Sequence, residues 1–384
     1  MRLANARRAA LILPLIWIST ASAGPASPAL GTPLIEAPDA HLVVARAREP
    51  LPAATPDRLR SLARRSAQGD MLSAGEAEAV LRELEGTSLE PDIQLLRAQL
   101  NQRLHRFEQA RNDLESLEQN PAFAHEAGLQ RLAVALATGH LDEAKAACGR
   151  LNSQLNPSLY HLCDANVDAR AGHLEHAWHL GRELLANKHQ DLTVGSRHWL
   201  LTSLAEWAEQ RGQEDPRPWW QAAYLIAPED TYTRAGLART ALAQQDFPMA
   251  LRLTEGQENL DTLLVIRTIA ARLSAHPDAD TLTRKTLQRL QEAEWRGEVL
   301  HARDFARFLL HLGGSPQKAL ALARANWSSQ KEPLDARILA QAAVGAHSID
   351  DLDTLRDWVQ QTGLEDAPLS RLLASSTRRA EVAP

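Results

Sequence analysis

Gly139-His140-Leu141-Asp142-Glu143-Ala144 is followed 33 residues later by Gly172-His173-Leu174-Glu175-His176-Ala177. The echo extends in both directions. Upstream, Arg106-Phe107-Glu108-Gln109-Ala110 occupies the matching slot, 34 residues before Ala144. Downstream, Phe247-Pro248-Met249-Ala250 and Pro316-Gln317-Lys318-Ala319 fall on the same lattice, leaving room for one unit between them with its slot near Leu282. Ile349 to Leu352 continues the series. Trp219-Trp220-Gln221-Ala222-Ala223-Tyr224-Leu225-Ile226-Ala227-Pro228-Glu229-Asp230 reads as the second helix and closing turn of another unit. The spacing around Gly212 to Pro218 is too long for one period, so that stretch is an insertion.

Inside the units, segments such as Leu129 to Thr138 and Val265 to Leu273 repeat apolar residues at three and four spacing, without strand alternation. One helix pair of this kind cannot bury its apolar face alone, whereas stacked neighbours share a continuous core. A period near 34 residues with these marks resembles the tetratricopeptide repeat family. The resemblance implies an all-α, right-handed solenoid of about eight stacked antiparallel helix pairs. It matches Ala110, Ala144, Ala177, Ala250 and Ala319 to the small residue where the helices cross. Phe107, Leu141, Leu174 and Phe247 match the apolar residue opening the second helix, and Pro121, Pro157 and Pro228 the closing proline. Several first helices depart from the family register by one residue.

The expected organisation is a signal peptide over 1–23, a Pro-rich lead-in over 24–56, capping helices over 57–87, repeats over 88–361, and a capping helix with tail over 362–384. Arg2, Arg7 and Arg8 precede an apolar run from Ala9 to Ile18, and Ala21-Ser22-Ala23 offers the small-x-small cleavage pattern, with Gly24 first in the mature chain. The run is too short to span a bilayer and Pro14 interrupts it. The expected address is the periplasm, with no membrane span left after cleavage.

Composition limits the function classes. The whole chain carries 42 Lys plus Arg against 48 Asp plus Glu, a net charge of −6, so it lacks the basic field that nucleic-acid binding relies on. Two cysteines exclude a four-cysteine metal or iron–sulfur site. Cys148 on the second helix of one unit and Cys163 on the first helix of the next are expected to form a disulfide; two buried thiols are the alternative. His173, His176 and His179, in a histidine-rich region from His125 to His198, are the only hint of a metal site. Steps of three on a helix turn the third side chain well away from the first. Ser315-x-x-Lys318 and Ser328-x-x-Lys331 have too few fixed positions to mark a nucleophile, and Ser315 serves better as a helix N-cap. There is no Gly-x-Ser-x-Gly and no phosphate-cradling glycine loop. No catalytic residues and no cofactor are expected.

What remains is a binding surface. The resemblance implies that first helices line a concave groove, where Asn and basic residues grip a peptide. Gln99, Arg103, Asn166, Arg170 and Arg239 fall at or within one residue of such positions, although solvated helix residues remain an alternative identity for each. Trp199, Trp207, Trp219 and Trp220 gather around the insertion, as core or as an anchor. The expected role is a non-enzymatic scaffold for a protein or peptide partner in the bacterial cell envelope. A metal-handling protein using the histidines is the alternative.

Overall fold

The computed structural model describes residues 55–67, 76, 79–84, 88–152, 155–187, 191–295 and 302–382. The expected signal peptide and nearly all of the Pro-rich lead-in lie outside them. Among the described residues there is no strand. After α1 (Pro56–Ala67) and a short helical piece over 79–83, eight helix pairs follow. They are α2 (Pro91–Arg103) with α3 (Phe107–Leu117), α4 (Ala124–Thr138) with α5 (Leu141–Leu151), α6 (Pro157–Asp168) with α7 (Leu174–Ala186), and α8 (Val194–Arg211) with α9 (Arg217–Ile226). Then come α10 (Thr231–Ala243) with α11 (Phe247–Leu253), α12 (Asp261–Leu273) with α13 (Ala279–Trp295), α14 (Ala302–His311) with α15 (Pro316–Ser329), and α16 (Pro333–Ala346) with α17 (Ile349–Thr362). A final helix, α18 (Ala367–Val382), ends the fold. The chain is an all-helical stack of antiparallel pairs, as the repeat requires.

Why the pairs form is visible at two positions of each unit. Where five of the second helices cross their partners a small side chain is buried: Ala110, Ala144, Ala177 and Ala250 have no exposed surface and Ala319 has almost none, while Trp220, Leu282 and Leu352 hold the same slot in the other three. Each pair also turns through one residue in the left-handed region: His105, Gly139, Gly172, Gly212, Gln245, Ala275, Gly313 and His347. A left-handed residue just past a helix end lets the chain reverse and satisfies the last carbonyls. In α4, for example, the N–H of His140 donates to the Ala135 carbonyl at 2.9 Å. The step from Gly172 to Gly212 is the long one. Its extra residues lie before Gly212 and lengthen α8, which runs for 18 residues.

First and second helices differ in burial for a reason that appears in their sequences. Second helices such as α5 (LDEAKAACGRL) keep one polar face in water. First helices such as α12 (DTLLVIRTIAARL) and α16 (PLDARILAQAAVGA) are apolar nearly all round and are covered on nearly all sides. Consecutive first helices pack on one another along α10, α12, α14, α16 and α18. The stack then bends back on itself: α18 packs on α8 as well as on α16. The last pairs thereby close over the inner side of the first four.

Candidate functional site

The closing contact joins the turns of the early pairs to the loops of the late ones. The Lys331 N–H donates to the Ala137 carbonyl at 2.9 Å, and the Gln330 side chain meets His105 Nε2 at 2.7 Å. Gly172 lies against Gly363, both in the left-handed region, so close that a Cβ on Gly172 would stand 2.7 Å from the Gly363 carbonyl oxygen. Glu365 accepts from the Leu174 N–H at 2.9 Å, and Asp366 accepts from the Leu369 N–H at 2.8 Å, capping α18. Arg337 grips Asp366 through Nε and Nη2 at 2.7 to 3.0 Å, and its Nη1 lies 3.6 Å from Glu209 on α8.

This seam is ionic. Two large apolar clusters, one running from Leu129 to Ala208 and the other from Ala235 to Leu373, stand on either side of it. Between them opens a narrow cleft with a mouth to solvent, lined by Arg170, Glu206, Glu209, Tyr232, Arg239, Arg303, Glu332 and Arg337. Arg170 pairs with Glu332 at 3.4 Å, and Arg303 reaches both Asp335 at 3.4 Å and Glu332 at 3.8 Å. The Tyr232 hydroxyl donates to Glu206. Burial pushes the Glu332 carboxyl up to about 8 against the pull of Arg170, with Asp335 and Glu206 adding repulsion. Burial likewise raises Glu206, although Tyr232 and Arg170 oppose the shift. Burial opposes the charge on Arg303, but Asp335, Asp304 and Glu332 outweigh it and hold that guanidinium firmly cationic.

The five groove residues expected from the sequence do not form one stripe. Arg170 and Arg239 reach the cleft. Asn166 lies between two helices, donating to the Leu162 carbonyl at 2.8 Å and accepting from Ser203 at 3.0 Å. Arg103 faces inward toward Asp230, with Nη1 buried and without a hydrogen-bond partner; burial pulls it down to about 10, with Asp230 opposing. Gln99 is half-buried on α2. The seam residues Glu332, Asp335, Arg337, Arg303 and Arg307 escaped the sequence reading. For all but the N-cap Glu332 the signal is charge inside helices whose other buried residues are apolar: Arg303, Asp304 and Arg307 are all buried in α14.

Cys148 and Cys163 stand at disulfide distance, with Cα atoms 5.9 Å apart across the α5–α6 contact. His176 and His179 are largely exposed, near Asp168 (3.6 Å) and Glu175 (3.8 Å) respectively, while His173 precedes α7. Among the described residues, no group of three or more His, Cys, Asp or Glu could hold a metal ion. No described helix is long and apolar enough to cross a membrane. Of the clustered tryptophans, Trp199, Trp207 and Trp220 are core; Trp220 fills the space over Gly236, and Trp219 packs edge-on against Trp178 at 5.7 Å. His198, Thr233 and Asp230 form a hydrogen-bonded chain, with links of 2.9 and 2.7 Å, but Thr233 is sealed from solvent and Asp230 caps α10.

Fold and seam together define an all-helical repeat protein closed on itself. No protein-family profile matches the chain. Nor does any curated protein. Among solved structures, it is similar to the crystal structure of the APC/C hetero-tetramer Cut9-Hcn1, at 12% identity, covering 82% of this chain and 77% of that one, with a TM-score of 0.29.

Proposed function

We propose that the chain is a non-enzymatic scaffold of the tetratricopeptide kind, exported to the cell envelope, where it binds a protein or peptide partner. The observation that carries this reading is the stack of eight helix pairs whose second helices present a succession of polar faces to solvent, a long surface suited to another polypeptide. Export is supported by the charged, apolar and small-residue pattern through Ala23, and by a cysteine pair at disulfide distance, which an oxidising compartment favours. The inner surface is engaged by the late pairs, so a partner reaches it by displacing them or docks on the outer faces.

Photocrosslinking in cells tests the reading, with the photoreactive residue placed at the exposed positions Lys145 and Glu183. A discrete adduct in the periplasmic fraction, on a chain beginning at Gly24, is the expected result. Absence of any discrete adduct at both positions, or a mature chain still beginning at Met1, overturns it.

A further inference from the structure

We propose that the row of turns reversing the first three helix pairs is a docking edge for an extended peptide that carries a carboxylate, and that Gln330-Lys331-Glu332 occupies this edge in the closed chain as an intramolecular stand-in.

His105, Gly139 and Gly172 hold the same left-handed position in successive pairs, at φ 56°, 78° and 84°. Equivalent positions of stacked units fall in a row along one edge of a solenoid. The late segment meets that row in order. At the first turn the Gln330 side chain meets His105 Nε2 at 2.7 Å. Beside the second, the Lys331 N–H donates to the Ala137 carbonyl at 2.9 Å. Beside the third, Arg170 Nη2 lies 3.4 Å from Glu332. Gly139 keeps the middle of the edge bare: a Cβ there would stand 3.0 Å from the Lys331 Cβ. The segment is extended, with φ −126° and ψ 136° at Gln330 and φ −87° and ψ 158° at Glu332. A main-chain hydrogen bond flanked by separately gripped side chains is how an extended free peptide is recognised.

Two observations make the resident segment exchangeable. The large apolar clusters of the early and late pairs share no residue, so its release breaks no common core. Its fit is also incomplete: Gln330 Oε1 is buried without a hydrogen-bond partner, a cost that is relieved when the segment leaves. Arg170 sets the chemistry of a displacing peptide, because its guanidinium fork matches a carboxylate. Further along the same edge a second carboxylate, that of Glu365, accepts from the Leu174 N–H at 2.9 Å. The inference deepens the scaffold reading and rests on it, yet the two fail separately. Adducts at Lys145 and Glu183 report the outer helix faces, whereas a peptide titration reports the edge.

The test is fluorescence anisotropy of a labelled synthetic peptide, Ser-Ser-Gln-Lys-Glu-Pro-Leu, copied from residues 328–334, blocked at both ends and titrated with residues 24–384. Apparent affinity falls with the fraction of molecules in which a site is free. Removing the resident contacts by Gln330→Ala with Glu332→Ala should therefore tighten binding about tenfold or more over the unaltered chain. Adding Arg170→Glu should abolish the gain, and a peptide carrying Glu332→Gln should bind more weakly. If the double variant does not fold by circular dichroism, hydrogen exchange on the unaltered chain decides. With peptide in excess, the fragment containing Lys331 should then exchange faster. A folded double variant that binds the peptide no better than the unaltered chain overturns the docking edge, and so does an exchange rate that excess peptide leaves unchanged.

Discussion

The carboxylate of Glu365 accepts a hydrogen bond from the backbone N–H of Leu174 at 2.9 Å, across 191 residues of sequence. Leu174 opens α7, and the residue at that helix's own N-cap position, His173, contributes no side-chain cap. One of the first N–H groups of α7, which has no partner within its helix, is thus satisfied by a distant segment, and an anion there also suits the positive end of the helix dipole.

Glu365→Ala should therefore cost about 1 kcal/mol, the usual worth of a helix cap. Urea unfolding followed by circular dichroism checks this. Glu365→Gln, which keeps an acceptor, should lose less.

Gly172→Ala should be much more damaging than Gly256→Ala. Both glycines are left-handed, at φ 84° and 69°, so both substitutions meet the backbone cost of about 1–2 kcal/mol. Only at Gly172 would the new methyl also strike a backbone oxygen; around Gly256 there is open space. The difference between the two midpoints measures the closing contact alone, and equal losses would mean that the contact yields without cost.

Ala275 sits left-handed, at φ 53°, in an exposed turn where four other pairs use glycine. Ala275→Gly should stabilise the protein by roughly 0.5–1 kcal/mol, the relief of backbone strain less the entropy of a freer unfolded chain. A melting temperature that falls would show the turn to be unstrained.

Closure should weaken as the solution becomes more alkaline. The Glu332 carboxyl is raised from its ordinary 4.5 to about 8, so the folded chain holds this proton where the unfolded chain has released it. Its contribution is fully present below about pH 4.5 and is lost as pH rises toward 8. Arg170 and Arg303 oppose the shift, while Asp335 and Glu206 reinforce it. Glu332→Gln should flatten the slope of stability against pH in that window; an unchanged slope would assign it to another group.

Reduction should reveal the cysteine pair. If Cys148 and Cys163 are bonded in the exported chain, peptide mapping without reductant finds them linked, and Cys148→Ser with Cys163→Ser costs about 3 kcal/mol for a loop of this length. Two free thiols would exclude the bond.

The local parts of the fold were legible because a repeat prints the same requirement again and again. Ala110, Ala144 and Ala177 stand buried where the helices cross, and the insertion before Trp219 showed as a long period. Closure left no such print. Glu365 with Leu174, or Arg170 with Glu332, are single pairings between units that share no period, and neither residue departs from ordinary helix-end composition. Arg170 and Arg239 line the cleft, but the acid that meets Arg170 lies 162 residues further along. Asn166 satisfies its own stack through Leu162 and Ser203.

The distant cap on α7 also imposes a timetable. A ribosome adds about 5–20 residues each second, so roughly 10–40 s separate the emergence of Leu174 from that of Glu365. During that interval the nascent early pairs can assemble with one another, but their inward surfaces wait bare for the late pairs. Such exposed surface is what chaperones hold and what aggregates when they do not. In an open solenoid, folding can nucleate in any repeat and spread to its neighbours. This chain completes its first half only when its last helix has arrived.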